Sequence, residues 1–183
     1  IYGKEQWAFS TIYSVAIGQG EVEVVPMQMA ELACTFANHG YYIDPHIVHA
    51  IGYPDSLTMG WQKHTTKVDG KWFDLIAEGM RRVVNEAGGT ARVARIPGID
   101  VCGKTGTAQV ASKGRAGANS KDHAWFISFA PRDKPEICGV VLTENSGFGG
   151  KLSAPRAKAI YEIYYHRKIG VPADAQAQLV KSQ

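Results

Sequence analysis

One stretch of the chain admits two folds, and they exclude each other. Gly98-Ile99-Asp100-Val101-Cys102-Gly103-Lys104-Thr105 fits G-x-x-x-x-G-K-S/T, the glycine loop that wraps a phosphate between a strand and a helix. The same residues also alternate: Ile99, Val101 and Gly103 stand against Asp100, Cys102 and Lys104. A period of two marks a strand running through the motif. A phosphate loop needs a buried strand before it and a helix opening at the lysine. Here Arg95, Ile96 and Pro97 precede Gly98, while Gly106, Thr107, Ala108, Gln109 and a glycine-containing run over 112–119 follow Thr105. Neither flank suits. A P-loop nucleotide-binding protein is therefore kept as a remote alternative, supported only by the apolar run 137–142, which closes on Glu144 like an acidic metal-binding strand.

The rest of the chain divides into helices and strands around that segment. Pro26 suits the first turn of a helix over about 26–38, with Met29, Leu32, Ala33 and Phe36 on one face and Gly40 as its stop. Residues 41–51 read as extended and 52–70 as a loop or small hairpin, with Asp69-Gly70 as a turn. A second helix is expected over about 71–86, burying Phe73, Ile76, Met80 and Val83 and ended by Gly88-Gly89. Three strands follow near 99–110, 123–130 and 136–144, the last two joined by an Asp133-Lys134-Pro135 turn. Pro155 is expected to open a final helix to about Lys168 that buries Ile160, Ile163 and Tyr164.

Composition narrows the function classes. With 183 residues and 45% hydrophobic content, the chain can bury one core. Twenty basic against 17 acidic residues leave a formal charge of +3, too mild to argue for nucleic acid. No apolar run approaches the ~18 residues of a membrane span, and no signal-peptide pattern is present. Cys34, Cys102 and Cys138 show no C-x-x-C or metal spacing, so each is read as a small packing residue, with a disulfide between two of them left open. No histidine stands at ligand spacing with a carboxylate, and neither a metal nor a cofactor is expected. Trp125, Phe126 and Phe129 read as core, His123 as a surface residue, and Gly147, Gly149 and Gly150 as a flexible loop at a cleft mouth.

Several blocks in fixed order carry a family resemblance. Ala16-Ile17-Gly18-Gln19-Gly20 leads into Val24-Val25-Pro26-Met27-Gln28-Met29-Ala30, and Gly88-Gly89-Thr90-Ala91 precedes Gly103-Lys104-Thr105-Gly106-Thr107-Ala108-Gln109. His123-Ala124-Trp125-Phe126-Ile127-Ser128-Phe129-Ala130-Pro131 follows. Lys-Thr-Gly is one of three motifs common to penicillin-binding proteins and serine β-lactamases. With its flanking blocks the chain resembles the C-terminal half of a class B penicillin-binding protein transpeptidase domain of the cell-elongation type, penicillin-binding protein 2.

The resemblance implies an α+β fold: part of the penicillin-binding protein and serine β-lactamase-like transpeptidase fold, an antiparallel sheet with helices packed on it. Residues 1–169 would be the C-terminal part of the domain and 170–183 a flexible tail. The implied reaction is D,D-transpeptidation in peptidoglycan synthesis, in which an acyl-serine intermediate cross-links stem peptides ending in D-Ala-D-Ala and β-lactams bind at the same serine. Lys104 would be catalytic, a fixed positive charge beside the serine hydroxyl; Thr105, Gly106 and Thr107 would bind substrate, the Thr107 N–H as one of two oxyanion donors. The family's Ser-x-x-Lys nucleophile and Ser-x-Asn or Ser-x-Asp motif stand upstream of the Gly-Gln-Gly block. Neither Ser-x-x-Lys nor Ser-x-Asn occurs in these 183 residues, and Ser120-Lys121-Asp122 comes after the lysine, in the wrong order.

The chain is accordingly expected to be a fragment cut downstream of the nucleophile, inactive alone. Its parent would sit in the inner (plasma) membrane through an N-terminal anchor absent here, with the catalytic domain in the periplasm. The strand near 136–144 would lose its usual neighbour, the missing first strand, leaving an edge open to self-association. A non-catalytic scaffold or binding module of the same fold is the alternative.

Overall fold

The computed structural model describes residues 9–20, 22–47, 62–110 and 121–169. Its centre is a three-stranded antiparallel sheet of β3 (Cys102–Ala108), β4 (His123–Ala130) and β5 (Ile137–Thr143), in the order β3-β4-β5. Alternation sends the two faces of β4 into different cores. Phe126 joins one with Val84, Val101, Ala154, Ala157 and Tyr161, while Ile127 and Phe129 join the other with Ala33, Ala37, Ala77 and Met80. The first core is closed by α4 (Gly149–Ile169), the second by α2 (Pro26–Ala37) and α3 (Lys71–Asn85). The described part is thus a helix–sheet–helix sandwich, and the strand through residues 102–108 removes the P-loop alternative. The motif lysine lies inside a strand, where a phosphate loop would need it to open a helix.

Local chemistry explains the element ends. Pro26 occupies the first turn of α2, and the Gln28 side chain accepts a hydrogen bond from the Val25 N–H at 3.0 Å. A small antiparallel pair, β1 (Tyr41–Ile43) with β2 (Lys63–Thr65), follows α2. The expected tail and the Ser112–Asn119 stretch lie outside the described residues, as does Ser120.

Three helical faces differ from the periodic reading. In α2, Thr35 and Ala37 are buried with Ala33, whereas Leu32 is exposed. In α3 the buried stripe is Phe73, Ala77, Met80 and Val84, so Ile76 faces out. In α4 it is Ala154, Ala157, Tyr161 and Tyr165, with Ile160 and Ile163 exposed. The α3 and α4 sets are also stripes spaced three and four residues apart, whereas the α2 set is spaced by two. Alanine at the contact lets a helix lie close to the sheet, and Tyr161 reaches across to donate to Ser128 Oγ at 2.8 Å. Two boundaries also change. Helix α1 (Phe9–Ala16) was not anticipated, and α4 starts at Gly149 with Pro155 inside it. Gly149 and Gly150 are therefore no loop: their backbone lies against the carbonyls of Trp125 and Thr90, where a Cβ would collide.

Cys34 and Cys138 form a disulfide with Cα atoms 5.7 Å apart, joining α2 to β5, and only Cys102 keeps the packing role. Among the described residues β5 pairs with β4 alone, so its outer edge carries no strand.

Gly103 is the tightest point of the sheet. A Cβ there would overlap the Phe126 ring, which is fully buried. Gly103→Ala is expected to lower stability by about 1–3 kcal/mol, measured by urea unfolding. Phe126→Leu in the same chain should recover part of that loss, because the two changes share one contact. An additive double variant would contradict this account of the sheet.

Candidate active site

The residues singled out in the sequence all stand on β3, and the strand sorts them. Opposite Ile127, Phe126, Trp125 and Ala124 of β4 lie Lys104, Thr105, Gly106 and Thr107 in turn. Alternation puts Lys104 and Gly106 on the α2 and α3 face, Thr105 and Thr107 on the α4 face. Toward its N-terminal end β3 is buried at Val101, Cys102 and Gly103; from Lys104 onward it comes to the surface. The polar motif therefore begins where the helical cover stops.

Lys104 is exposed, and its Nζ donates to the Thr105 carbonyl at 2.7 Å. Thr105 Oγ1 shares a hydrogen bond of 3.0 Å with Thr90 Oγ1. Thr90 comes from the Gly-Gly-Thr-Ala block after α3; Ala91 N–H, next to it, donates to the Val83 carbonyl at 3.1 Å and holds the block against the helix end. A Cβ on Gly106 would stand 3.1 Å from Trp125 Cβ, so the glycine leaves the α2-side surface of the strand bare. The outer edge of β3 has no strand partner among the described residues. Gln19 meets it instead: its Nε2 donates to the Thr107 carbonyl at 3.1 Å, and its Oε1 accepts from the Gln109 N–H at 3.3 Å. In a strand the N–H and C=O of one residue point to the same side. The Thr107 N–H therefore also faces outward, beside its carbonyl.

Chemically, the edge offers a cation, two hydroxyls and an outward peptide N–H within one short strand. That set can hold a carboxylate and stabilise an oxyanion. It holds no activated nucleophile. Cys102, two residues before the lysine, is fully buried, and that burial pushes its thiol up to about 12, far from the thiolate that attacks carbonyls. His123 is occupied elsewhere, its Nδ1 accepting from the Asn145 N–H at 3.0 Å, which pins the turn after β5. Among the described residues no group of histidine, cysteine and carboxylate side chains could hold a metal.

Thr90 and Gln19 are the two residues that sequence reasoning quoted but gave no task. Their blocks lie far from the lysine motif in sequence, and only the folded chain brings them to β3. A threonine after a helix-ending Gly-Gly, and a glutamine between two glycines, were the available signals.

The arrangement is a sheet-edge lysine with two hydroxyls and an outward backbone donor. Known proteins give the family. Residues 2–162 match the penicillin binding protein transpeptidase domain family. The peptidoglycan D,D-transpeptidase MrdA of Haemophilus influenzae is 35% identical over 181 residues, covering 91% of this chain and 27% of that protein. PbpA of Mycobacterium tuberculosis, also named a peptidoglycan D,D-transpeptidase, is 35% identical over 159 residues, or 80% of this chain and 30% of the relative. Among solved structures, penicillin-binding protein A of M. tuberculosis superposes with a TM-score of 0.70 at 31% identity, covering 84% of this chain and 37% of the other. A penicillin G acyl-enzyme complex of the same protein gives 0.63 at 27% identity, with coverage of 84% and 35%. The chain belongs to the penicillin-binding protein transpeptidase family. It spans only about a quarter to a third of the length of these curated relatives.

The thiols give a direct check on this region. In the native chain near pH 8, iodoacetamide should modify no cysteine, because Cys102 is buried and the others are paired. Unfolding without reductant should expose one thiol, and unfolding with reductant three, counted by mass. Three after unfolding without reductant would contradict the Cys34–Cys138 pair.

Proposed function

We propose that this chain is the lysine-bearing half of the catalytic site of a peptidoglycan D,D-transpeptidase of the penicillin-binding protein 2 type. The serine nucleophile and second motif are supplied by residues of the same protein outside these 183. The observation that carries the reading is the open β3 edge, on which Lys104, Thr105 and the outward Thr107 peptide stand together.

The mechanism follows from those groups. A serine hydroxyl brought beside β3 attacks the carbonyl carbon of the penultimate D-Ala. Lys104 favours the deprotonated oxygen by its charge, and the Thr107 N–H receives the oxyanion as the tetrahedral centre forms. The terminal D-Ala leaves as the amine, taking the proton that the serine hydroxyl gave up. Thr105 and Thr107 hydroxyls hold its carboxylate before it departs. Gly106 leaves room for the acyl group against the strand. An amine of a neighbouring stem peptide then takes the acyl group from serine. β-Lactams acylate the same serine, and the solved penicillin G complex of a relative supports this. The protein is placed at the inner membrane, its catalytic domain in the periplasm, through an anchor outside this chain; no described helix is long and apolar enough to cross a membrane. Among the described residues the outer edge of β5 carries no strand, which leaves a place for another strand, from elsewhere in the protein or from a second copy.

The test is release of D-Ala and formation of cross-linked product from a D-Ala-D-Ala pentapeptide by the full-length protein. Lys104→Ala is expected to lower kcat about 10²-fold or more while leaving the melting temperature unchanged, because the side chain is exposed. No turnover by the wild-type protein would favour the non-catalytic scaffold. Undiminished turnover in Lys104→Ala would remove the lysine from the mechanism.

A further inference from the structure

Gln19 makes a contact to which the proposed chemistry above gives no role. It stands between Gly18 and Gly20, both with positive φ (75° and 80°), at the end of α1. The Gly18 N–H donates to the Val15 carbonyl and the Gln19 N–H to the Ser14 carbonyl, each at 2.9 Å. This is a left-handed helix cap with paired closing bonds, and it fixes the Gln19 backbone on the helix. A Cβ on Gly20 would stand 3.0 Å from Ser14 Cβ, so the chain turns back tightly there. From this anchored position the side chain crosses to Thr107 of β3 and to Gln109 just past its end, 88 and 90 residues away in sequence.

The two groups it meets are not arbitrary. The carbonyl of one residue and the N–H of the residue two further on lie on the same edge of a strand. They are the pair a neighbouring strand would engage. The Gln19 amide supplies one donor and one acceptor with matching polarity, and so acts as a single residue of a missing strand placed against Thr107 and Gln109.

We propose that Gln19 is a positioning residue for the oxyanion donor. Its side-chain amide sets the orientation of the Thr107 peptide and closes the β3 edge immediately beyond it, so that the Thr107 N–H is the last open donor a substrate meets. The inference rests on the transpeptidase reading above. Loss of the amide leaves two polar groups at an exposed edge, where water replaces both hydrogen bonds at little cost to global stability. The direction of the Thr107 N–H is then no longer fixed, and a displacement of about 1 Å at a reacting centre can cost about 10²-fold in rate.

The experiment measures acylation of the full-length protein by benzylpenicillin, resolved into the non-covalent binding constant and the acylation rate constant k2. Wild type is compared with Gln19→Met, which keeps length without hydrogen bonds. Gln19→Glu is the second variant: it keeps the acceptor for Gln109 and loses the donor to Thr107. Both variants are expected to lower k2 about ten- to a hundredfold with binding little changed. Their melting temperatures should stay within about 4 °C of wild type. Amide hydrogen exchange at Gln109, read by NMR, should be slow in wild type and faster in Gln19→Met, because the Gln109 N–H is the one that Gln19 holds. Unchanged k2 in Gln19→Met would overturn the proposal. So would a fall in k2 matched by an equal loss of binding and a large loss of melting temperature, the mark of a merely structural residue. If Gln19→Met does not fold, k2 of Gln19→Glu and exchange in wild type decide instead. Absence of any acylation in wild type would remove the transpeptidase reading, and fast exchange at Gln109 would separately remove the contact.

Discussion

Everything in this molecule depends on the pairing of β3 with β4. The central strand β4 is buried on both faces, with Phe126 under α4 and Phe129 under α2 and α3. β3 can lie beside it only because Gly103 yields its side-chain volume to the Phe126 ring. The glycine that opens the Gly-Lys-Thr-Gly sequence is thus a packing residue first. It seats the strand, and the seating carries Lys104 to the point where the helical cover ends.

Burial and chemistry divide along that one strand. Residues 101–103 are interior, where burial pushes the Cys102 thiol up, and residues from 104 onward come to the surface. The open end is still ordered, because three distant segments press on it. Thr90 meets Thr105 from the turn after α3, the α4 start packs its backbone on Trp125, and Gln19 reaches Thr107 and Gln109 from the α1 cap. Each of these contacts uses a small or polar residue at the end of a helix. Precision at an exposed edge comes here from helix termini, while the apolar cores supply the stability.

Much of this was legible in the sequence, for reasons that can be named. Strands β3, β4 and β5 were readable because alternation and the Asp133-Lys134-Pro135 turn act locally, and the family blocks identified the transpeptidase domain. Helix faces were harder. Leu32, Ile76 and Ile160 looked like core by hydrophobicity, yet the sheet takes alanine and tyrosine stripes one residue away, since close approach matters more there than side-chain size. The Cys34–Cys138 pair lies 104 residues apart and no spacing rule could find it. Thr90 and Gln19 were visible as block members, but a hydrogen bond to a strand 15 or 88 residues away has no local signature.

The central claim is that these residues carry the lysine and oxyanion side of the site without the nucleophile. The most direct measurement is the intact mass of this chain and of its full-length parent after incubation with a penicillin, followed by peptide mapping. The account predicts one penicilloyl adduct on the parent, at a serine outside these 183 residues, and none on the chain alone. An adduct on the chain alone would contradict it, because the nucleophile would then lie among the residues described as lacking one.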